Sequence, residues 1–131
     1  MATHNELGKT GEKYAQEHLL SKGYKIRQIN WKSGSYELDI IAEKDDMLIV
    51  AEVKTRSNNF FGNPEEFVTK AKMKRIVNAA HHYICSHNID KDTRFDIISI
   101  LKTPDGNYKI YARITSDGRE IGRSDWIVFT K

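Results

Sequence analysis

Hydrophobic and polar positions along this chain fall into blocks of two different periods. Between residues 3 and 22 the apolar positions Ala15, Leu19 and Leu20 recur at helical spacing. Thr3 with Glu6 three residues later forms a capping-box pattern, and Thr10 offers a second start because Gly8 and Gly11 weaken a helix there. Gly23 supplies a stop. The spacing predicts a first helix over 3–22. Glu12 lies three residues before Ala15 and seven before Leu19, so it is expected on the inward face of that helix.

The period then changes to that of strands. Residues 24–32, 36–43 and 47–55 are rich in β-branched and other apolar side chains. Ser33-Gly34-Ser35 and Lys44-Asp45-Asp46 separate them, and turns this short imply antiparallel hairpins. Glu52 and Lys54 are two apart and project from one face of the third strand, with Ile49, Ala51 and Val53 on the other. Apolar residues on both faces imply a central, covered strand.

Residues 56–62 read as a loop carrying Asn58, Asn59, Phe60 and Phe61. Asn63-Pro64-Glu65-Glu66 is a helix start, with Asn as cap, Pro at the first position and acids in the first turn. The helix it opens extends to about residue 86, with a break expected near Thr69. Met73, Ile76, Val77, Ala80 and Ile84 form its apolar stripe. Residues 94–101 and 108–114 read as a fourth and fifth strand around an Asp105-Gly106 turn. Residues 115–131 carry no assignable pattern, although Trp126, Ile127 and Phe129 are expected to fold back onto the core. The order helix, three strands, helix, two strands predicts an α/β domain with a mixed central β-sheet flanked by helices. The long helix permits a parallel crossover between strands three and four.

At 131 residues the chain reads as one domain spanning 1–131. Its 39% hydrophobic and 30% charged composition is that of a soluble globule, and no apolar stretch approaches the ~20 residues that span a bilayer. The N-terminal residues do not have the form of a secretory signal. Cys85, the single cysteine, fits a reducing cytoplasm and is expected as a small core residue. Net charge is +3, only weakly suggestive of a nucleic-acid partner; local clustering matters more.

The chemistry concentrates in acids within apolar strands. Asp39 stands in Glu37-Leu38-Asp39-Ile40-Ile41-Ala42, and Glu52 and Lys54 in Val50-Ala51-Glu52-Val53-Lys54. Such charges are costly to bury unless paired. Two carboxylates from adjacent strands and the carbonyl of Val53 can hold one face of Mg²⁺ or Mn²⁺, which favours oxygen ligands and lowers the pKa of bound water. Glu12 could complete that site or help hold a second ion, and Lys54 could orient water or offset charge at phosphorus. A structural salt bridge among Asp39, Glu52 and Lys54 is the alternative. Lys70, Lys72, Lys74 and Arg75 form a basic cluster suited to phosphates or to a solvated helix face, with Lys72 turned toward the core side. Arg56 opens the loop that leaves the Glu-Val-Lys strand, a natural place for substrate contacts. His81, His82 and His87 do not have the spacing of a zinc site. Asp96 is expected to pair with Arg94 or Lys72, or to end the sheet.

Several of these segments together resemble a known family. Gly11-Glu12 with Ala15, the run Gly23-Tyr24 to Asn30-Trp31, Glu37-Leu38-Asp39-Ile40-Ile41-Ala42 and Glu52-Val53-Lys54-Thr55-Arg56 resemble the YraN-type bacterial proteins. So do Phe61-Gly62-Asn63-Pro64-Glu65-Glu66, Lys72, Tyr83 and Arg94-Phe95-Asp96. That group is functionally uncharacterised. It looks like the restriction-endonuclease-like proteins with a PD-(D/E)xK signature and is similar to archaeal Holliday-junction resolvases. The resemblance implies that Asp39, Glu52 and Lys54 match the signature acid, acid and lysine, and that Glu12 matches the first-helix glutamate of the resolvase-like branch. Leu38 stands where the signature has proline, a departure that removes no metal ligand. It implies a Mg²⁺-dependent nuclease acting on DNA, including branched DNA, and a homodimer if it resolves junctions. The alternative is a nucleic-acid-binding accessory protein for recombination or repair that does not cleave.

Overall fold

The computed structural model describes residues 4–56, 69–116, 119–120 and 127–130, with side chains placed for 7–56 and 69–110. Helix α1 (His4–Ser21) leads into β1 (Lys25–Ser33), β2 (Tyr36–Lys44) and β3 (Met47–Arg56). Helix α2 (Lys70–Ser86) follows, then β4 (Asp92–Lys102), β5 (Tyr108–Ser116), β6 (Arg119–Glu120) and β7 (Ile127–Thr130). The strands form one sheet in the order β1-β2-β3-β4-β5-β6, with β7 also pairing β5. Among the described strands only the β3–β4 pair is parallel, and α2 lies in its crossover. The predicted α/β class and mixed sheet are therefore observed, with the predicted order of elements among the described residues as far as β5; β6 and β7 add strands from the stretch 115–131 that carried no assignable pattern.

Alternation along β3 divides the core between the two helices. Leu48 and Val50 pack with Ile76, Ala79, Ala80 and Tyr83 of α2, while Ala51 packs with Ala15 and Leu19 of α1. The hairpin turn between β2 and β3 uses Asp45 and Asp46 at φ 52° and 61°. Two successive left-handed residues form the twist-matched two-residue turn that closes a tight hairpin. On β4, Arg94 donates to both carboxylate oxygens of Asp96, each at 2.8 Å, and to the Tyr24 hydroxyl. This fixes Asp96, 5% exposed, as a structural partner of Arg94.

Two expectations change. Cys85 is exposed rather than a core residue, because the buried side of α2 is set by Ile76, Ala79, Ala80 and Tyr83 and residue 85 turns away from it. Leu20, expected in the α1 stripe, is 57% exposed, since Ala15 and Leu19 define the stripe and Leu20 lies one position past it. The break expected near Thr69 is where helix α2 begins: the Thr69 hydroxyl accepts the Lys72 N–H at 3.1 Å and caps the first turn. The Asn63-Pro64-Glu65-Glu66 start and the loop with Asn58, Asn59, Phe60 and Phe61 lie outside the described residues, as does Trp126.

Candidate functional site

The site forms where β2 and β3 part. Their ladder pairs Ile40 with Ala51 and continues toward the hairpin turn, and no pairing follows beyond Ile40 in the other direction. Continued, it would set Asp39 opposite Glu52. Instead the Asp39 Oδ2 accepts the backbone N–H of Val53 at 2.8 Å, so a side chain takes the place of a ladder carbonyl. The Val53 carbonyl leaves the strand on the same side as its N–H and so faces Asp39. The Asp39 carboxyl is also within hydrogen-bonding reach of Glu52, which is 6% exposed. Burial, the hydrogen bond to Asp39 and the Asp39 charge push the Glu52 carboxyl up to about 9, with Lys72 opposing the rise.

Two cations adjoin these acids. Lys54, two residues past Glu52 on the same face of β3, lies close enough to Asp39 and Lys72 to interact with both. Burial, then Lys72 and Arg56, hold its ammonium below the ordinary lysine value, and Asp39 works against them. Lys72 faces the acids from the first turn of α2, on the core side as its spacing predicts. Arg75 lines the same cleft. Lys70 and Lys74 are exposed on α2, and Arg56 is half-buried at the end of β3.

Glu12 is held differently. On α1 its Oε2 lies 3.5 Å from the side-chain amide of Asn30, which sits between the Ile29–Ile40 and Trp31–Leu38 pairs of the β1–β2 register. Asn30 adopts φ 49°, a left-handed conformation that asparagine tolerates better than most residues. The close seating of α1 comes from Gly11, where an added Cβ would stand 1.9 Å from the Thr55 Oγ1. Glu12 is thus beside the parted strands but is not gathered with Asp39 and Glu52. Among the described residues no group of three or more His, Cys, Asp or Glu side chains is assembled to hold a metal.

The donor set nevertheless fits a hard divalent cation. Asp39, Glu52 and the Val53 carbonyl are all oxygen donors, and Mg²⁺ commonly binds through one or two carboxylates while retaining waters. A nearly buried carboxyl that keeps its proton beside a second carboxyl is also a site where a cation can take the proton's place. The cleft has a volume of about 420 Å³. Its walls include residues that sequence reasoning did not single out: Ser35 from the β1–β2 turn, Tyr36 at the start of β2 and Asn78 from α2. Tyr36 stands just after a turn and three residues before Asp39, which was the one available signal. Glu37 also lines the cleft.

A family model described as the uncharacterised protein family UPF0102 matches residues 11–100. The chain belongs to that family. The matched span begins at the α1 glycine seated on Thr55 and contains every residue named above at the cleft. A UPF0102 protein of Bacteroides thetaiotaomicron is 50% identical over 110 residues, covering 84% of this chain and 90% of that protein. One from Phocaeicola vulgatus is 51% identical over 106 residues, covering 79% and 88%. One from Flavobacterium psychrophilum is 47% identical over 102 residues, covering 78% and 86%. No helix among the described residues is long and apolar enough to cross a membrane.

Proposed function

We propose that this UPF0102 member is a cytoplasmic, Mg²⁺-dependent nuclease of the restriction-endonuclease-like kind. It hydrolyses phosphodiester bonds of DNA, including branched or otherwise structured DNA. The observation that carries the reading is the meeting of Asp39, Glu52, Lys54 and Lys72 at the point where two strands separate. In this reading Asp39, Glu52 and the Val53 carbonyl would hold Mg²⁺ or Mn²⁺, with Glu12, beside the parted strands, as a further oxygen ligand. The cation supplies Lewis acidity and a water of lowered pKa at neutral pH. Lys54 orients the nucleophilic water and offsets charge as it develops on phosphorus. Its depressed pKa lets it donate or release a proton more readily than a free lysine.

The cations of α2 support an anionic ligand. The first turn of this helix contains no acid, and Lys70 and Lys72 occupy it instead. Positive charge at a helix N-terminus opposes the macrodipole, a cost that a bound phosphate offsets. Lys70, Lys72, Lys74, Arg75 and Arg56 are therefore assigned to the DNA backbone. Resolution of a junction would need two such centres and hence a homodimer.

The test is a cleavage panel of linear duplex, single strand, flap and four-way junction with Mg²⁺ or Mn²⁺. Asp39→Ala and Glu52→Ala are each expected to lower the rate by at least on the order of 10². Unchanged rates in both variants would retire the assignment. One observation favours a second reading, that of a recombination or repair accessory protein which binds nucleic acid without cutting it: although Glu37 also lines the cleft, no group of three acids is assembled to hold a metal among the described residues. That reading predicts salt-sensitive DNA binding without divalent metal and no product at any enzyme excess.

A further inference from the structure

The cleft that Lys72 and Arg75 line also carries an aromatic ring with one face already filled. Tyr36, at the start of β2, stacks on the imidazole of His82 with ring centres 4.8 Å apart and planes 17° from parallel. His82 is itself fixed. Its Nε2 is 3.0 Å from the Ser33 hydroxyl, and the indole of Trp31 lies 5.8 Å from its ring centre. Trp31 is 7% exposed and belongs to the core. A surface tyrosine is ordinarily free to change rotamer; this one is backed by a chain of contacts reaching the interior. It is still 37% exposed, and it lines the same cleft as Asp39 and Glu52. Of the exposed large apolar side chains among the described residues, Leu20, Ile29 and Tyr36, it alone borders the cleft.

From this arrangement we infer that the cleft accepts an unpaired nucleotide, with its base stacked on the open face of Tyr36 and its phosphates toward Lys72 and Arg75. The inference deepens the nuclease reading and rests on it for the identity of the ligand as nucleic acid. A base inside a continuous duplex already has both faces covered by its neighbours, so it cannot use the ring. A base in a single strand, a flap or an opened junction can, and stacking on aromatics is how proteins hold such bases without reading sequence. Tyr36 is three residues from Asp39, about 10 Å along an extended strand. A strand with one phosphate at the acids therefore carries a neighbouring base to the ring. His82 and the core behind it keep the ring oriented before the ligand arrives, which lowers the ordering cost of binding.

The experiment measures binding in chelator, so that no cleavage is needed. Full-length wild type, Tyr36→Phe and Tyr36→Ala are titrated into a fluorescent single strand, the matching duplex, and a single strand carrying 2-aminopurine, with DNA and RNA versions of each. Wild type and Tyr36→Phe are expected to bind single strands alike and to quench 2-aminopurine. Tyr36→Ala is expected to lose the quenching and to bind single strands roughly 5- to 150-fold more weakly, with duplex affinity unchanged. Loss on either sugar supports the inference. Because Tyr36 is at the surface, equal urea midpoints for the three proteins are the control for folding. Single-strand affinity that survives Tyr36→Ala, or equal weakening for single strand and duplex, overturns it. Tyr36-dependent binding without cleavage under any metal would retire the nuclease reading and leave the stacking site standing. Metal-dependent cleavage with Tyr36-independent binding would do the reverse.

Discussion

Replacing Glu52 by glutamine is expected to stabilise the metal-free fold at neutral pH. Glu52 is almost fully buried, and burial together with Asp39 pushes its carboxyl up to about 9 from an ordinary value of 4.5. At pH 7 the unfolded chain has released that proton while the folded chain keeps it, so folding must take up a proton. At about 1.4 kcal/mol per pH unit, this withholds about 3 kcal/mol of folding free energy. The direction follows from proton binding. Between the two values the folded state holds more protons than the unfolded one, so stability falls as pH rises through that window and is fully present below it. Glutamine has a similar shape, can still hydrogen-bond Asp39 and cannot ionise. The check is urea unfolding in chelator at pH 5 and pH 8 for both proteins, with equal m-values as the condition for comparison. Titrations elsewhere in the chain cancel in the difference. From pH 5 to pH 8 the glutamine variant should gain about 4 kcal/mol relative to wild type. Added Mg²⁺ should then favour wild type and not the variant, because a ligand stabilises only the fold that binds it. Parallel pH profiles for the two proteins would show that Glu52 does not hold its proton in the fold, and the account of the acid pair would fail.

Other expectations follow from the same structure. Gly11→Ala gains about 1 kcal/mol of helix propensity but drives a Cβ against Thr55, so a net loss of roughly 1–2 kcal/mol is expected, with most of it returned by Thr55→Ala in the same chain; a urea double-mutant cycle measures the coupling. Asp96→Ala strands the Arg94 guanidinium and should cost roughly 3–5 kcal/mol in chemical unfolding, whereas the double replacement Arg94→Met with Asp96→Leu should recover most of it. If Lys70, Lys72, Lys74 and Arg75 each neutralise a phosphate, duplex affinity should fall with salt at a log–log slope of about −3 to −4, and Lys74→Ala should shorten that slope by about one.

The sequence was most legible where periodicity and turn chemistry agreed. The alternation of 47–55 located β3 and put Glu52 and Lys54 on one face, and Asp45-Asp46 marked the hairpin that brings Asp39 beside them. The inward face of Lys72 was equally readable from its phase relative to Ile76 and Tyr83. Side chains at the margins of a stripe were not. Leu20 and Cys85 are apolar or weakly polar by type, but exposure depends on angular position, which composition does not report. The parting of β2 and β3 at Asp39 was invisible for a different reason: it depends on one carboxylate outcompeting a backbone carbonyl for the Val53 N–H. Tyr36 also escaped notice, since its stacking partner lies on the crossover helix, far along the chain.

The parallel pairing of β3 with β4 bears on how the cleft comes together in time. The β1–β2–β3 meander closes through short turns, and hairpins of that kind form within microseconds. Met47 meets Asp92 only by closing the long connection between β3 and β4, and that loop-closure cost delays the step. The two acids should thus be neighbours early, with their mutual repulsion unrelieved, and the lysine-bearing wall should arrive last. Mutational φ-values near zero along α2, against higher ones in the meander, are the expected kinetic record of that sequence of events.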